Sequence, residues 1–138
     1  MTSPRPSETA QSAVEAIREL NHLTLNRKMT APEIKATVQE ITALVDHLPQ
    51  LFEQLARQLG SRQAEGAIEM DTQDDPAVIV PEVLARLAEA AGLTEPANRI
   101  TYGTPAGPLS KALHDAASSL YQMSHKGNLD GYKDSADV

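Results

Sequence analysis

The chain has 138 residues, enough for one domain and few for two, and its 12 basic and 19 acidic residues leave a net charge of −7. No cluster of Lys and Arg is evident, which disfavours direct nucleic-acid binding, and the absence of cysteine excludes disulfides, thiolate zinc sites and cysteine nucleophiles. Only 3% of the residues are aromatic, so the core must be aliphatic, a composition that suits helices packed on helices.

The first predicted element is a helix that follows a flexible lead. Residues 1–7 contain two prolines and little that can be buried, so we interpret them as a flexible N-terminal lead. Ser7 or Thr9 can cap a helix that runs to about Leu25. Its apolar residues recur mostly every three positions, which gives this helix only a narrow, drifting apolar stripe.

The second predicted helix has the strongest signals in the chain. Thr30 and Glu33 fit a capping box, in which the hydroxyl accepts a backbone N–H and the carboxylate reaches back to the cap residue. Aliphatic residues then alternate spacings of four and three over almost four heptads, and two further leucines widen the row. We call this row the apolar seam: Ile34, Val38, Ile41, Leu44, Val45, Leu48, Leu51, Phe52, Leu55 and Leu59.

Pro49 interrupts the second helix. Proline removes one backbone hydrogen bond and crowds the carbonyl of Val45, which predicts a kink or a break. We favour a kink, because the apolar phase is the same on both sides of the proline. A break, with Asp46 as the cap of a new helix, is the alternative. Gly60 is predicted to end the element.

An acidic linker is predicted next, over about residues 61–75. No basic residue occurs between Gln63 and Ala85, and the stretch is rich in small polar residues, as exposed connections are. Asp75 with Pro76 can cap a short turn. Residues 77–80, Ala-Val-Ile-Val, are β-prone, but they are too few to form a sheet and no partner strand is evident.

Two shorter helices are predicted in the C-terminal half. Pro81 fits the first turn of a third helix, which ends at Gly92–Leu93 in a Schellman motif. A Pro/Gly loop over about residues 94–108 precedes a last helix from about Leu109 to His125. Residues 127–138 are interpreted as a flexible C-terminal tail.

These elements predict an all-α fold. We expect a single helical domain over residues 8–126, formed as a small bundle of three or four helices with one long, Pro-kinked helix and flexible termini. The N-terminus lacks the apolar run of a signal peptide, and no run of roughly 18 apolar residues could form a membrane helix. We therefore expect a cytoplasmic protein without membrane contact, and the abundance of Ala and Arg suggests a bacterial source.

The apolar seam is the main candidate for function. Such a row is as often the core face of a bundle as an interface, and the sequence leaves both readings open. No convergent group of polar side chains able to do chemistry accompanies it, so we predict no catalytic, cofactor-binding or metal-binding residues. The sequence favours a non-enzymatic protein–protein interaction module, such as an adaptor, regulatory or assembly component, whose partner is another protein or a second copy.

Two alternatives come from other parts of the chain. Five carboxylates of the linker could occupy the basic surface of a partner, as in an acidic inhibitor or antitoxin-like protein. These residues, the acidic segment, are Glu65, Glu69, Asp71, Asp74 and Asp75. The pair His114–Asp115 occurs in helical metal-dependent hydrolases of the HD type, for which His47 and Asp134 are the remaining candidate ligands.

Overall fold

The structure is a computed structural model that describes residues 3–96 and 106–121. Four helices occur in these ranges: α1 (Pro6–Asn26), α2 (Ala31–Ala64), α3 (Pro76–Leu93) and α4 (Pro108–Tyr121). They contain 79% of the described residues, among which no strand occurs. The predicted all-α fold and the small helical bundle are confirmed, with bundle-like contacts among α2, α3 and α4.

The contacts divide the chain into two compact units. The first contains α1 and the start of α2, up to Ile34, and the second, Lys35–Met123, contains the rest of α2 together with α3 and α4. The buried apolar residues Val45, Val80 and Ala91 lie in the second unit, whereas the buried residue Thr30 lies in the first. The prediction of one helical domain over residues 8–126 stays a prediction.

Helix α1 begins at Pro6, so the last two residues of the predicted lead are helical. The Glu8 carboxylate accepts hydrogen bonds from the Arg5 backbone N–H at 3.2 Å and from the Arg5 guanidinium at 2.9 Å. Proline is tolerated in this first turn because its missing N–H would have no helical acceptor. The cap is therefore Arg5, and the prediction of Ser7 or Thr9 is wrong. No residue of α1 is buried.

Helix α2 starts as predicted and ends later than predicted. The Thr30 hydroxyl accepts the Glu33 backbone N–H at 3.3 Å, which confirms the cap. The helix continues through Pro49, so the alternative of a break at Asp46 is wrong, while the kink stays a prediction. It ends at Ala64, not at Gly60, and the first four residues of the predicted linker 61–75 are helical.

A Schellman motif explains where α2 ends. Gly66 has a φ of +69°, in the left-handed region that favours glycine. Its N–H donates to the Gln63 carbonyl at 3.0 Å, and the Ala67 N–H donates to the Arg62 carbonyl at 3.1 Å. This pair of bonds defines the motif and satisfies two carbonyls that the helix leaves free.

Helix α3 begins five residues before the predicted start at Pro81. The Asp75 carboxylate accepts the Ala77 N–H at 2.9 Å and caps a helix that includes the β-prone residues 77–80. Val80 is buried there, with 4% of its surface exposed, so packing in the bundle outweighs the intrinsic β preference of this tetrapeptide. Pro81 lies inside the helix.

The end of α3 also differs from the prediction. Gly92 lies inside the helix and does not have a positive φ, so the predicted Schellman motif at Gly92–Leu93 is wrong. The cap residue is Thr94, whose backbone N–H donates to the Ala91 carbonyl and whose hydroxyl donates to the Ala90 carbonyl at 2.9 Å. The buried hydroxyl is thereby satisfied at the end of the helix.

A close backbone approach connects α3 to α4. The Gly107 N–H donates to the Glu95 carbonyl at 3.0 Å, and a Cβ at position 107 would come within 3.0 Å of the carbonyl oxygens of Gly92 and Leu93. Only glycine fits at this position. Of the predicted loop 94–108, residues 97–105 lie outside the described part of the chain.

Helix α4 begins at Pro108, one residue before the predicted start at Leu109. It is described as far as Tyr121. The end predicted at His125 and the tail predicted over residues 127–138 lie outside the described residues.

Candidate functional site

Helix α4 runs antiparallel to α2, and polar contacts at both of its ends show this. Near the start of α4, Ser110 and His114 contact Asp46 of α2. At the end of α4, the Tyr121 ring lies 4.1 Å from the Lys35 ammonium of α2, a cation–π contact. Because the later residue of α4 meets the earlier residue of α2, the two helices have opposite directions.

Three side chains form what we call the polar clamp between α2 and α4: Asp46, Ser110 and His114. The Ser110 hydroxyl donates to one carboxylate oxygen of Asp46 at 3.1 Å, and the His114 Nε2 lies 3.2 and 3.1 Å from the two oxygens. Ser110 is fully buried, with 0% exposure. The clamp satisfies a hydroxyl that would otherwise be buried without a partner.

The polar clamp contains the residue types of a hydrolase triad without its order. In a triad the imidazole lies between the serine and the carboxylate and takes the serine proton. Here the carboxylate of Asp46 lies between Ser110 and His114, and the hydroxyl donates directly to it. The full burial of Ser110 also keeps it from a substrate. The arrangement therefore holds two helices together and does not generate a nucleophile.

The face of α2 that is buried in the bundle is narrower than the apolar seam and is displaced from it. The three buried residues of the helix are Thr42, Val45 and Pro49, which recur at spacings of three and four. The Thr42 hydroxyl donates to the Val38 carbonyl at 2.7 Å and so needs no partner on another helix. Val45 is the only residue of the seam that is buried.

The rest of the seam is half-buried or exposed. Leu44, Leu51 and Leu55 have 41%, 46% and 45% of their surface exposed. At about 100° per residue these leucines lie roughly 110–155° around α2 from the centre of the buried face. Ile34, in the first unit, is 39% exposed. The remaining seam residues are half-buried: Val38, Ile41, Leu48, Phe52 and Leu59.

The exposed leucines belong to a continuous row with its own heptad register. Spacings of three and four connect five apolar residues between the polar residues Thr37 and Gln58, which occupy the next positions of the same register. We call this row the uncovered stripe: Ile41, Leu44, Leu48, Leu51 and Leu55. Its length is about 22 Å at 1.5 Å per residue. The stripe lies entirely in the second unit.

All residues of the acidic segment are exposed, but three of them make local contacts. Glu65 forms an ion pair with Arg62 at 3.1 Å, Asp74 accepts the Thr72 hydroxyl at 2.6 Å, and Asp75 caps α3. Part of the acidity of the linker therefore lies in residues that interact with the end of α2 and the start of α3. Among the described residues, no contact holds these five carboxylates together as one surface for a basic partner.

The candidate ligands of the HD-type hypothesis lie in separate surroundings. His114 contacts Asp46 in the polar clamp, whereas Asp115 forms an exposed ion pair with Lys111 at 3.0 Å. His47 is exposed on α2, and Asp134 lies outside the described residues. Within residues 3–96 and 106–121, no group of three or more His, Asp or Glu side chains is placed to hold a metal ion.

Comparison with protein-family models, with curated proteins and with solved structures finds no match to this chain. None of the helices in the described part of the chain combines the length and the apolar character that crossing a membrane requires. The uncovered stripe, the polar clamp and the acidic segment are the features of the described residues that bear on function.

Proposed function

We propose that the protein is a non-enzymatic helical interaction module whose binding surface is the uncovered stripe of α2. One observation carries the proposal: Leu44, Leu51 and Leu55 keep 41–46% of their surface exposed on a helix whose other side is packed in the bundle. A single exposed leucine is ordinary on a protein surface, whereas an ordered row of them marks an interaction site.

The chemistry of the stripe indicates the class of its partner. The five residues carry no charge and no hydrogen-bonding side chain, so they offer nothing to a phosphate or a polar metabolite. Their spacing matches the ridge of one helix that packs into the groove of another. An amphipathic helix that places its own apolar residues between these leucines is the partner that fits the stripe.

Site-specific photo-crosslinking tests the proposal. Benzoylphenylalanine is placed at Leu51 and, as a matched control, at Gln50, which is exposed and lies about 100° around the helix. Both full-length chains are expressed in cells, irradiated and analysed by mass spectrometry. We expect protein adducts from position 51 and few from position 50. Equal yields from both positions, or no adduct from either, would refute the proposal, provided that circular dichroism shows both chains folded.

A further inference from the structure

We infer that the partner helix on the uncovered stripe is basic and carries Lys and Arg beside its own apolar row. The inference rests on the proposed function and adds the charge of the partner. The second unit, which contains the stripe, has 6 basic and 12 acidic residues, whereas the first unit has 6 and 7. Six of the seven net negative charges of the chain therefore belong to the unit that meets the partner.

The basic residues of the second unit are mostly engaged by its own side chains. Of the five that the structure describes, three form ion pairs with carboxylates at 3.0–3.1 Å, and Lys35 lies over the Tyr121 ring. The fifth, Arg57, is exposed about 120–160° around α2 from the exposed leucines of the stripe. The three bases in ion pairs are Arg62, Arg86 and Lys111.

Several carboxylates of the same unit remain free to attract a cation. Five of them are exposed and form no ion pair within residues 3–96 and 106–121: Glu40, Glu53, Glu69, Asp71 and Glu82. Glu40 lies beside the stripe, on the flank that faces away from the buried side of α2. No basic residue lies within four positions of Glu40 along the helix. A Lys or Arg of a helix on the stripe can therefore pair with it.

The sign of this charge selects among the possible occupants of the stripe. A second copy of the chain, a nucleic acid and an anionic membrane are all negatively charged and would be repelled, whereas a basic amphipathic helix is attracted. The apolar contact is small, because a strip about 22 Å long on a helix about 10 Å wide offers less than the roughly 800 Å² of a standard interface. Charge attraction supplements it mainly through faster association, and salt screens this contribution.

Two synthetic peptides test the charge of the partner. Both are amphipathic helices of about three heptads with leucine at the a and d positions. Their exposed positions carry lysine in one peptide and glutamate in the other. Each is titrated into the full-length chain by calorimetry, at low and at physiological ionic strength and at concentrations where the peptide is monomeric. We expect the lysine peptide to bind at least about tenfold more tightly at low salt, and the preference to decrease as salt is added.

Two variants of the chain show whether the lysine peptide lies on the stripe. Leu51→Asp and Gln50→Asp each add one negative charge at adjacent exposed positions, but only Leu51 belongs to the stripe. A peptide on the stripe would bury the new carboxylate at position 51 against apolar groups, so we expect at least about tenfold weaker binding. Gln50→Asp should leave the affinity unchanged or raise it. Circular dichroism checks that both chains are folded, and Leu55→Asp replaces Leu51→Asp if that variant unfolds.

A second pair of variants tests the contribution of the flank. Glu40→Gln should weaken binding of the lysine peptide about two- to fivefold at low salt, the range for one exposed ion pair. Glu53→Gln is the matched control. Glu53 is also exposed on α2 without an ion pair among the described residues, but it lies about 160–180° around the helix from the exposed leucines. It should change the affinity clearly less.

Three results would overturn the inference. The first is an affinity for the glutamate peptide that equals or exceeds the affinity for the lysine peptide, and the second is no binding of either. The third is tighter binding of the lysine peptide to Leu51→Asp, which would show general attraction to an acidic surface. If Leu51→Asp weakens both peptides alike, the interaction module stands and only the charge of its partner is wrong. Photo-crosslinking at positions 50 and 51 tests the module separately.

Discussion

Replacing Asp46 by alanine is the most informative perturbation of the bundle. Asp46 is the acceptor for two groups on α4, at sequence separations of 64 and 68 residues. Its removal leaves the hydroxyl of Ser110, which has no exposed surface, without a partner. An unsatisfied buried group costs about 1–3 kcal/mol, and the lost contact with the part-exposed His114 costs about 0.5–1.5 kcal/mol. We expect Asp46→Ala to lower the free energy of unfolding by about 2–4 kcal/mol.

Urea and thermal unfolding followed by far-UV circular dichroism measure this cost. A domain of this size loses roughly 4 °C of Tm for each kcal/mol, so Asp46→Ala should melt about 8–16 °C earlier. Asp115→Ala is the matched control, because its ion pair with Lys111 is exposed and should change stability by less than about 0.5 kcal/mol.

A double-mutant cycle separates the polar clamp from a general effect of removing a carboxylate. Ser110→Ala removes the hydroxyl together with its need for an acceptor, so in the Ser110→Ala background Asp46→Ala should cost less than in the native chain. We expect a coupling of about 0.5–3 kcal/mol, the range for groups in direct contact. The account of the clamp is refuted if the two effects add, or if Asp46→Ala costs no more than Asp115→Ala.

Three further predictions use the same unfolding measurements. Gly107→Ala should lower the free energy of unfolding by about 1–3 kcal/mol, because its Cβ meets backbone oxygens. Gly60→Ala should raise it by about 0.5–1 kcal/mol, because Gly60 lies in a helix with nothing within 4 Å of its Cβ position. Equal effects would contradict the close approach at Gly107. Val45→Ala should lower the free energy of unfolding by about 1–3 kcal/mol and Leu51→Ala by clearly less at dilute protein, because of these two residues only Val45 is buried. The reverse order would contradict the assignment of the buried and exposed faces of α2. Asp75→Ala should cost about 1 kcal/mol through the lost cap of α3, and an unchanged Tm would show that the cap is dispensable.

The ends of the helices show which local signals can be predicted. The Thr30 cap was predictable because its partner, the Glu33 N–H, lies three residues away along the chain. The end of α2 was not, because glycine inside a helix costs only about 1 kcal/mol and does not by itself stop it. The stop at Gly66 depends on its left-handed backbone and two hydrogen bonds, which Gly60 and Gly92 lack.

Tertiary packing explains the remaining differences between the structure and the predictions from sequence. The β-prone residues 77–80 are helical because Asp75 caps the first turn and Val80 finds a buried place in the bundle. The polar clamp was also beyond periodicity, since it joins residues more than 60 positions apart. Its only sequence signal was the presence of Ser110 and His114, four residues apart, beside the apolar stripe of the last helix.

The lengths of the helices show that α4 cannot cover the half of the uncovered stripe beyond Pro49. Helix α2 has 34 residues, about 51 Å, whereas α4 has 14 residues, about 21 Å, and runs from beside Asp46 to beside Lys35. Leu51 and Leu55 lie beyond the start of α4, which therefore cannot cover them, and 46% and 45% of their surface is exposed. A 3.5-residue repeat of apolar residues predicts that a helix face is buried, but it does not identify what covers that face. Helix α4 is too short to cover the half of the stripe beyond Pro49. That half could be covered by α3, whose contacts leave these leucines exposed, or by a helix from outside the chain.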